Sequence, residues 1–184
     1  MTDTAAERTP ALKERAGVVS ALVDGAQALL VRHPTLDPGT IDGSFALYPA
    51  YSHQTPERYQ ERYEPYYHRS SAKPVAGIPI RAVAEVVEEY AVPVDELAAL
   101  ARHYVYTPEG LREKYDPDDE LRVLLCRVAE LESPRLIEER PAYRGCRAWI
   151  ELGNDVAVDP SASVPVLDDA TFAQRRAAIR DALQ

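Results

Sequence analysis

Apolar positions come in short bursts along this chain, and most bursts carry a recognisable start or stop signal. Ala16–Val23 (AGVVSALV) and Ala26–His33 (AQALLVRH) flank Asp24-Gly25. Asp-Gly between two β-type runs predicts a hairpin, because glycine accepts the positive φ of a type I′ turn. A two-residue loop then sets Val23 opposite Ala26 and Gly17 opposite Arg32, with Lys13, Arg15 and Arg32 at the open end. Phe45–Tyr48 reads as a third strand ended by Pro49. Thr55-Pro56-Glu57 is a helix start: a capping hydroxyl, proline at the first helical position and an acid near the dipole's positive end. Tyr59, Tyr63, Tyr66 and Tyr67 follow at helical spacing.

Ile78–Val92 fits either period: Ile80, Val83, Val87 and Tyr90 lie at helical spacing, while the β-branched content and Pro79 also suit a strand. Asp95–Tyr104 reads as a short helix. Thr107-Pro108-Glu109 repeats the earlier start signal and opens another helix. Leu121–Val128 (LRVLLCRV) is apolar on both faces, as a central strand is. Pro141–Gly145 turns, Arg147–Leu152 forms a further strand, and Asp168 or Asp169 caps an amphipathic helix over Phe172–Leu183. Residues 1–10 carry no apolar period and read as a flexible tail, leaving 11–184 as one domain. The expected fold is α+β: a mixed, mainly antiparallel sheet opened by the N-terminal hairpin, with helices packed on one face.

Composition narrows the picture. At 184 residues and 46% apolar content the chain can bury a full core. No run approaches the roughly 18 apolar residues of a membrane span, and the N-terminus lacks a signal pattern, so a cytoplasmic protein is expected. Cys126 and Cys146 have no CxxC spacing and read as reduced thiols, at least one of them buried. Net charge is −9, with three lysines against eighteen arginines. That balance resembles proteins of salt-loving archaea, although a GC-rich genome also favours arginine and alanine. In molar salt screening acts within about 3 Å, so any anion site must work by close contact.

Several stretches in order resemble one family: LKERAGVVSALVDGAQALLVRH, FALYPAYSHQ, YVYTPEGLREKY leading into LRVLLCRV, and YRGCRAWIEL. Together they are similar to the pattern of domain of unknown function 1802 over roughly residues 11–183. The matched positions are Lys13, Glu14, Arg32, Pro49, Tyr51, His53, Gln54, Thr107, Arg127, Tyr143, Gly145, Cys146 and Trp149. The chain departs from the pattern at Ala50, Tyr106 and Ala148, where threonine, tryptophan and serine are expected, and has His33-Pro34 where Lys-Gly-Gly would stand. The resemblance tips Ile80–Val87 towards a strand and implies no activity.

Phe45–His68 holds six of eleven tyrosines and two of four histidines. Within it, His53 beside Ser52 and Gln54 fits a general base or a phosphate-orienting group; equally, His53 and Gln54 fit groups that satisfy loop backbone. Arg127 near the end of a central strand needs a partner or a ligand. Arginine forks hold phosphate bidentately, so Lys13, Arg32, Tyr51, His53, Gln54, Arg127 and Arg147 form the candidate ligand set, with His53 the candidate catalytic group. Internal pairing with Glu14 or Glu151 is the competing account. A metal-dependent nuclease would draw on Glu14, Glu85, Glu151 and Lys13, but the Asp then Glu-x-Lys spacing is missing. Cys146 between Arg144 and Arg147 is either a nucleophile or a turn residue. No phosphate loop, HExxH, GxSxG or zinc spacing occurs. The leading expectation is a binding or regulatory domain for an anionic small molecule or nucleic acid, with no cofactor and no membrane partner. The alternatives are a phosphoesterase and a structural interaction domain.

Overall fold

A computed structural model of the chain describes residues 9–36, 43–153 and 158–184. Its frame is one seven-stranded mixed sheet. The strands are β1 (Thr9–Arg15), β2 (Leu29–Arg32), β3 (Ser44–Ala50), β4 (Ile78–Pro93), β5 (Glu120–Ile137), β6 (Trp149–Leu152) and β7 (Ser163–Pro165). Their order is β2-β5-β4-β3-β1-β6, with β7 also on β5. Only β1 and β3 pair in parallel. The helices are α1 (Ala16–Val23), α2 (Glu64–Arg69), α3 (Pro108–Arg112) and α4 (Asp169–Ala182).

The pleat sorts each strand's side chains between two cores. Leu12, Phe45, Leu47 and Ala84 enter the larger core, which also takes Val18 and Leu22 of α1, Leu111 of α3, and Phe172 and Ile179 of α4. Ala11, Ala46, Tyr48 and Val83, one residue out of step, enter the smaller core with Ile78, Tyr143 and Leu152. The helices thus lie on one face, as expected for this α+β arrangement.

The expected hairpin is absent. AGVVSALV is a helix whose residues are all buried except half-buried Ser20, so its apolar run reflects burial on every side rather than a β period. Asp24-Gly25 ends that helix. Gly25 adopts φ +70°, its N–H donates to Leu22 O (3.1 Å), and Ala26 N–H donates to Ala21 O (2.9 Å). This pair of bonds is the Schellman closure. The same glycine freedom that would make a tight hairpin here stops a helix.

Smaller corrections follow. β3 runs through Pro49 to Ala50, because Pro49 lies in register with Glu14 beyond the stretch of β3 that pairs with β4. The tyrosine segment is two 3-10 turns followed by the short α2 rather than one helix. Val94–Leu100 is 3-10. Ile80–Val87 is strand, within β4. Of the expected tail, Thr9 and Pro10 belong to β1 and residues 1–8 lie outside the described ones. The expected loop between β2 and β3 opens with a 3-10 turn over Pro34–Leu36, and its residues 37–42 also lie outside the described ones. Among the described residues no helix is long and apolar enough to cross a membrane.

Candidate functional site

The sheet curls. β2 and β1 are four places apart in the strand order, which in a flat sheet is about 19 Å. Yet Arg32 Nη1 of β2 donates to Glu14 Oε2 of β1 at 3.0 Å. The curl brings the ends of β1, β2 and β3 together with the end of α3 and the Cys146–Ala148 segment, around a cleft of about 490 Å³. Six cationic side chains line it: Lys13, Arg15, Arg32, Arg58, Lys114 and Arg147. His33 and His53 join them, against only two carboxylates, Glu14 and Glu113.

Several cations are already engaged. Lys13 Nζ donates to the carbonyls of Tyr143 (2.7 Å) and Gly145 (2.9 Å), fastening the 143–145 loop to β1. Arg15 donates to Ser52 O (3.0 Å), and Arg58 donates to Glu113 (3.3 Å) and to His53 O (3.4 Å). Glu14 is 7% exposed and accepts from both Arg32 and the Arg15 backbone N–H (2.7 Å). Among the described residues, Lys114 and Arg147 form no salt bridge.

Lys114 follows α3 and sits over the Tyr106 ring at 4.8 Å. Burial pulls its pKa down to about 8, against the attraction of Glu14. It therefore carries most of its charge near neutral pH but holds it in a poorly hydrated place. Arg147 is exposed at the rim. His53 is exposed too, and its φ of +57° puts it in the left-handed region. Histidine visits that region more often than most residues, and the conformation turns the chain sharply at the cleft edge.

Of the seven residues in the candidate ligand set, the cleft gathers Lys13, Arg32, His53 and Arg147. Tyr51 lines two neighbouring hollows instead. Gln54 is committed to structure. Its Oε1 accepts from Gly17 N–H (2.9 Å) and Tyr59 OH (3.2 Å), and its Nε2 donates to Ser70 O (2.8 Å). Arg127 does not converge with Arg32 and His53. It pairs with Asp169 and lies over the Phe172 ring at 5.0 Å, so α4 supplies the partner its strand position demands. The acids suggested for a metal site do not gather either: among the described residues no group of three His, Cys, Asp or Glu side chains could hold an ion. Cys126 is buried, and burial pushes its thiol up to about 12, whereas Cys146 is exposed on the cleft.

The sequence reasoning missed Lys114, Arg58 and the aromatic wall of Tyr104 and Tyr115. One signal was present, since Lys114 is one of three lysines and follows a strong helix start by about two turns.

The pattern of the family described as "Domain of unknown function (DUF1802)" matches residues 11–178. The chain belongs to that family. Comparison with curated proteins gives no match for this DUF1802 chain. Among solved structures it is similar to the ASCH protein of Zymomonas mobilis. A serine-to-alanine variant of that protein aligns with TM-score 0.52 at 13% identity, covering 79% of this chain and 88% of the other. A tyrosine-to-phenylalanine variant gives 0.52 at 12%, covering 80% and 91%. A structure titled simply as the ASCH protein gives 0.51 at 11%, covering 92% and 94%. At such identities the likeness concerns the fold alone.

Proposed function

We propose that this DUF1802 protein is a binding domain whose basic cleft accepts a phosphate-bearing anion. One observation carries the reading. A chain of net charge −9 concentrates six lysine and arginine side chains and two histidines on one 490 Å³ cleft. Among the described residues Lys114 and Arg147 form no salt bridge, and the Arg32 fork, though paired with Glu14, borders the same space. Close contacts of this kind survive salt that would screen long-range attraction.

The test is thermal shift in low and in molar KCl, with inorganic phosphate, nucleotides, and short RNA and DNA. A ligand at a hundred times its dissociation constant stabilises by about 2.7 kcal/mol. For a chain of this length that is about 5 to 10 °C. The shift is expected to disappear in the Arg147→Ala, Lys114→Met double variant. No shift with any of these probes refutes the reading and favours a structural interaction domain.

A second reading, phosphate-ester hydrolysis, is favoured by His53, whose left-handed backbone holds an imidazole at the cleft rim. Turnover of a phosphodiester by the purified protein that is lost in His53→Ala would move the reading from binding to catalysis.

A further inference from the structure

Next to the basic cleft lies a second chamber of about 340 Å³. The two share Lys13, Ala50 and Ser52 as a partition. Both volumes fall in the range of about 300–1,000 Å³ typical of small-molecule sites. Their chemistry differs. The charged groups of the second chamber are mostly neutralised: Glu139 sits between Lys73 (2.8 Å) and Arg144 (3.5 Å). Tyr48, Tyr51, Ile78 and Tyr143 supply ring and apolar surface.

Tyr48 is the anomaly. It is 2% exposed, and its hydroxyl has no hydrogen-bond partner among the described residues. Buried hydroxyls are almost always paired, because desolvating one without a partner is costly. Its neighbour Tyr143, edge-on at 5.9 Å, obeys that rule by accepting from Gly153 N–H at 2.9 Å. Burial also pushes the Tyr48 phenol up to about 12, so it stays a neutral donor across the physiological range. The hydroxyl itself is closed to solvent behind the ring-lined wall, so a ligand in the chamber supplies its missing acceptor after a small turn of the Tyr48 ring.

We infer that this chamber is the base subsite for a nucleotide whose phosphate lies in the basic cleft, with the Tyr48 hydroxyl hydrogen-bonding the edge of the base. The inference rests on the anion reading above and names its ligand class. A planar heterocycle with acceptor atoms on its edge fits tyrosine-faced walls, and the partition at Lys13 and Ala50 is where the base would hand over to the phosphate.

Titration calorimetry with inorganic phosphate and with each of the four ribonucleoside monophosphates tests it. On the unsubstituted protein at least one nucleotide is expected to bind tenfold or more tightly than phosphate. Tyr48→Phe, which keeps the ring, is expected to weaken that nucleotide about five- to tenfold, the worth of one hydrogen bond, and to leave phosphate unchanged. Tyr51→Ala, a half-buried wall residue, should do the same by removing ring contact. Arg147→Ala should weaken both ligands alike. If phosphate and nucleotides bind equally and neither tyrosine variant separates them, the subsite is overturned while the anion cleft stands. If neither ligand class binds the unsubstituted protein, both fall together.

Discussion

Lys114→Met is expected to make the protein more stable and less able to bind its ligand. The ammonium sits over Tyr106 with no salt bridge among the described residues, and burial lowers its pKa from 10.5 to about 8. At about 1.36 kcal/mol for each pH unit, that depression amounts to about 3 kcal/mol. The side chain keeps some contact with water, which screens part of the penalty, so about 2 kcal/mol is the working figure. Methionine preserves the apolar stem against the ring and removes the charge. For a chain of this length the gain is about 4 to 8 °C in Tm near pH 7. The pH dependence fixes the cause. Between pH 8 and 10.5 the folded protein sheds a proton that the unfolded chain still holds, so the unsubstituted protein gains stability as pH rises through that window. The advantage of Lys114→Met should therefore shrink from pH 7 towards pH 10. Tyrosines raised by burial, such as Tyr59 and Tyr115 at about 12, push the other way above pH 10. They act equally in both proteins and cancel in the comparison. Melting followed by circular dichroism from pH 6.5 to 10 measures the difference. A lower Tm for Lys114→Met at pH 7, or a gain that stays constant with pH, refutes the picture of a desolvated cation.

Gln27 is 1% exposed and holds Val105 N–H (2.9 Å) and Leu29 O (2.6 Å), so Gln27→Leu should leave two buried backbone groups unpaired. A loss of about 2–4 kcal/mol is expected, read from urea unfolding. Glu88 accepts from Arg176, Arg180 and Tyr90, and the Arg180 bond leads in drawing its pKa down to about 2. The folded value lies below the ordinary one of 4.5, so the tie between α4 and β4 is complete above pH 4.5 and is lost as pH falls towards 2. Protection of the α4 amides, taken as exchange relative to the free-chain rate at each pH, should fall over that interval in the unsubstituted protein, while Glu88→Gln should show the reduced protection already at neutral pH.

Much of the sheet was legible because its signals are local. Thr107 caps α3 by accepting from Gly110 N–H at 3.0 Å, as its position before proline foretold. Asp168 caps α4 in the same way through Thr171 N–H at 2.7 Å. LRVLLCRV, apolar on both faces, is indeed a strand flanked on both sides, by β2 and β4. The hairpin failed because two structures share one signal: Asp-Gly after a run of small apolar residues closes a turn or ends a buried helix with the same positive φ. Only tertiary context separates them. One such fact is that Gly17, in the first turn of α1, leaves room for Tyr59, whose hydroxyl a Cβ there would meet at 2.2 Å.

The cleft was half legible for a related reason. Residue type marked the arginines as expensive, but not which of them the fold would satisfy internally. Arg127 and Arg32 both lie on strands with apolar neighbours, and the sequence offered each a carboxylate. Arg127 receives Asp169 and the face of Phe172 from a helix more than forty residues away, and its charge is spent on docking α4. Arg32 receives Glu14, but Glu14 also serves the Arg15 backbone, and Arg15, Arg58, Lys114 and Arg147 crowd the same space. Two carboxylates, Glu14 and Glu113, then face six cations, and that excess of positive charge is what supports the proposed anion site. That excess depends on the curl bringing β1 and β2 together across four strand positions. No pairwise spacing in the sequence encodes it. It follows from a summed strand twist, and a reader of such chains gains more from counting the charges a curled sheet would collect at one end than from testing any single arginine.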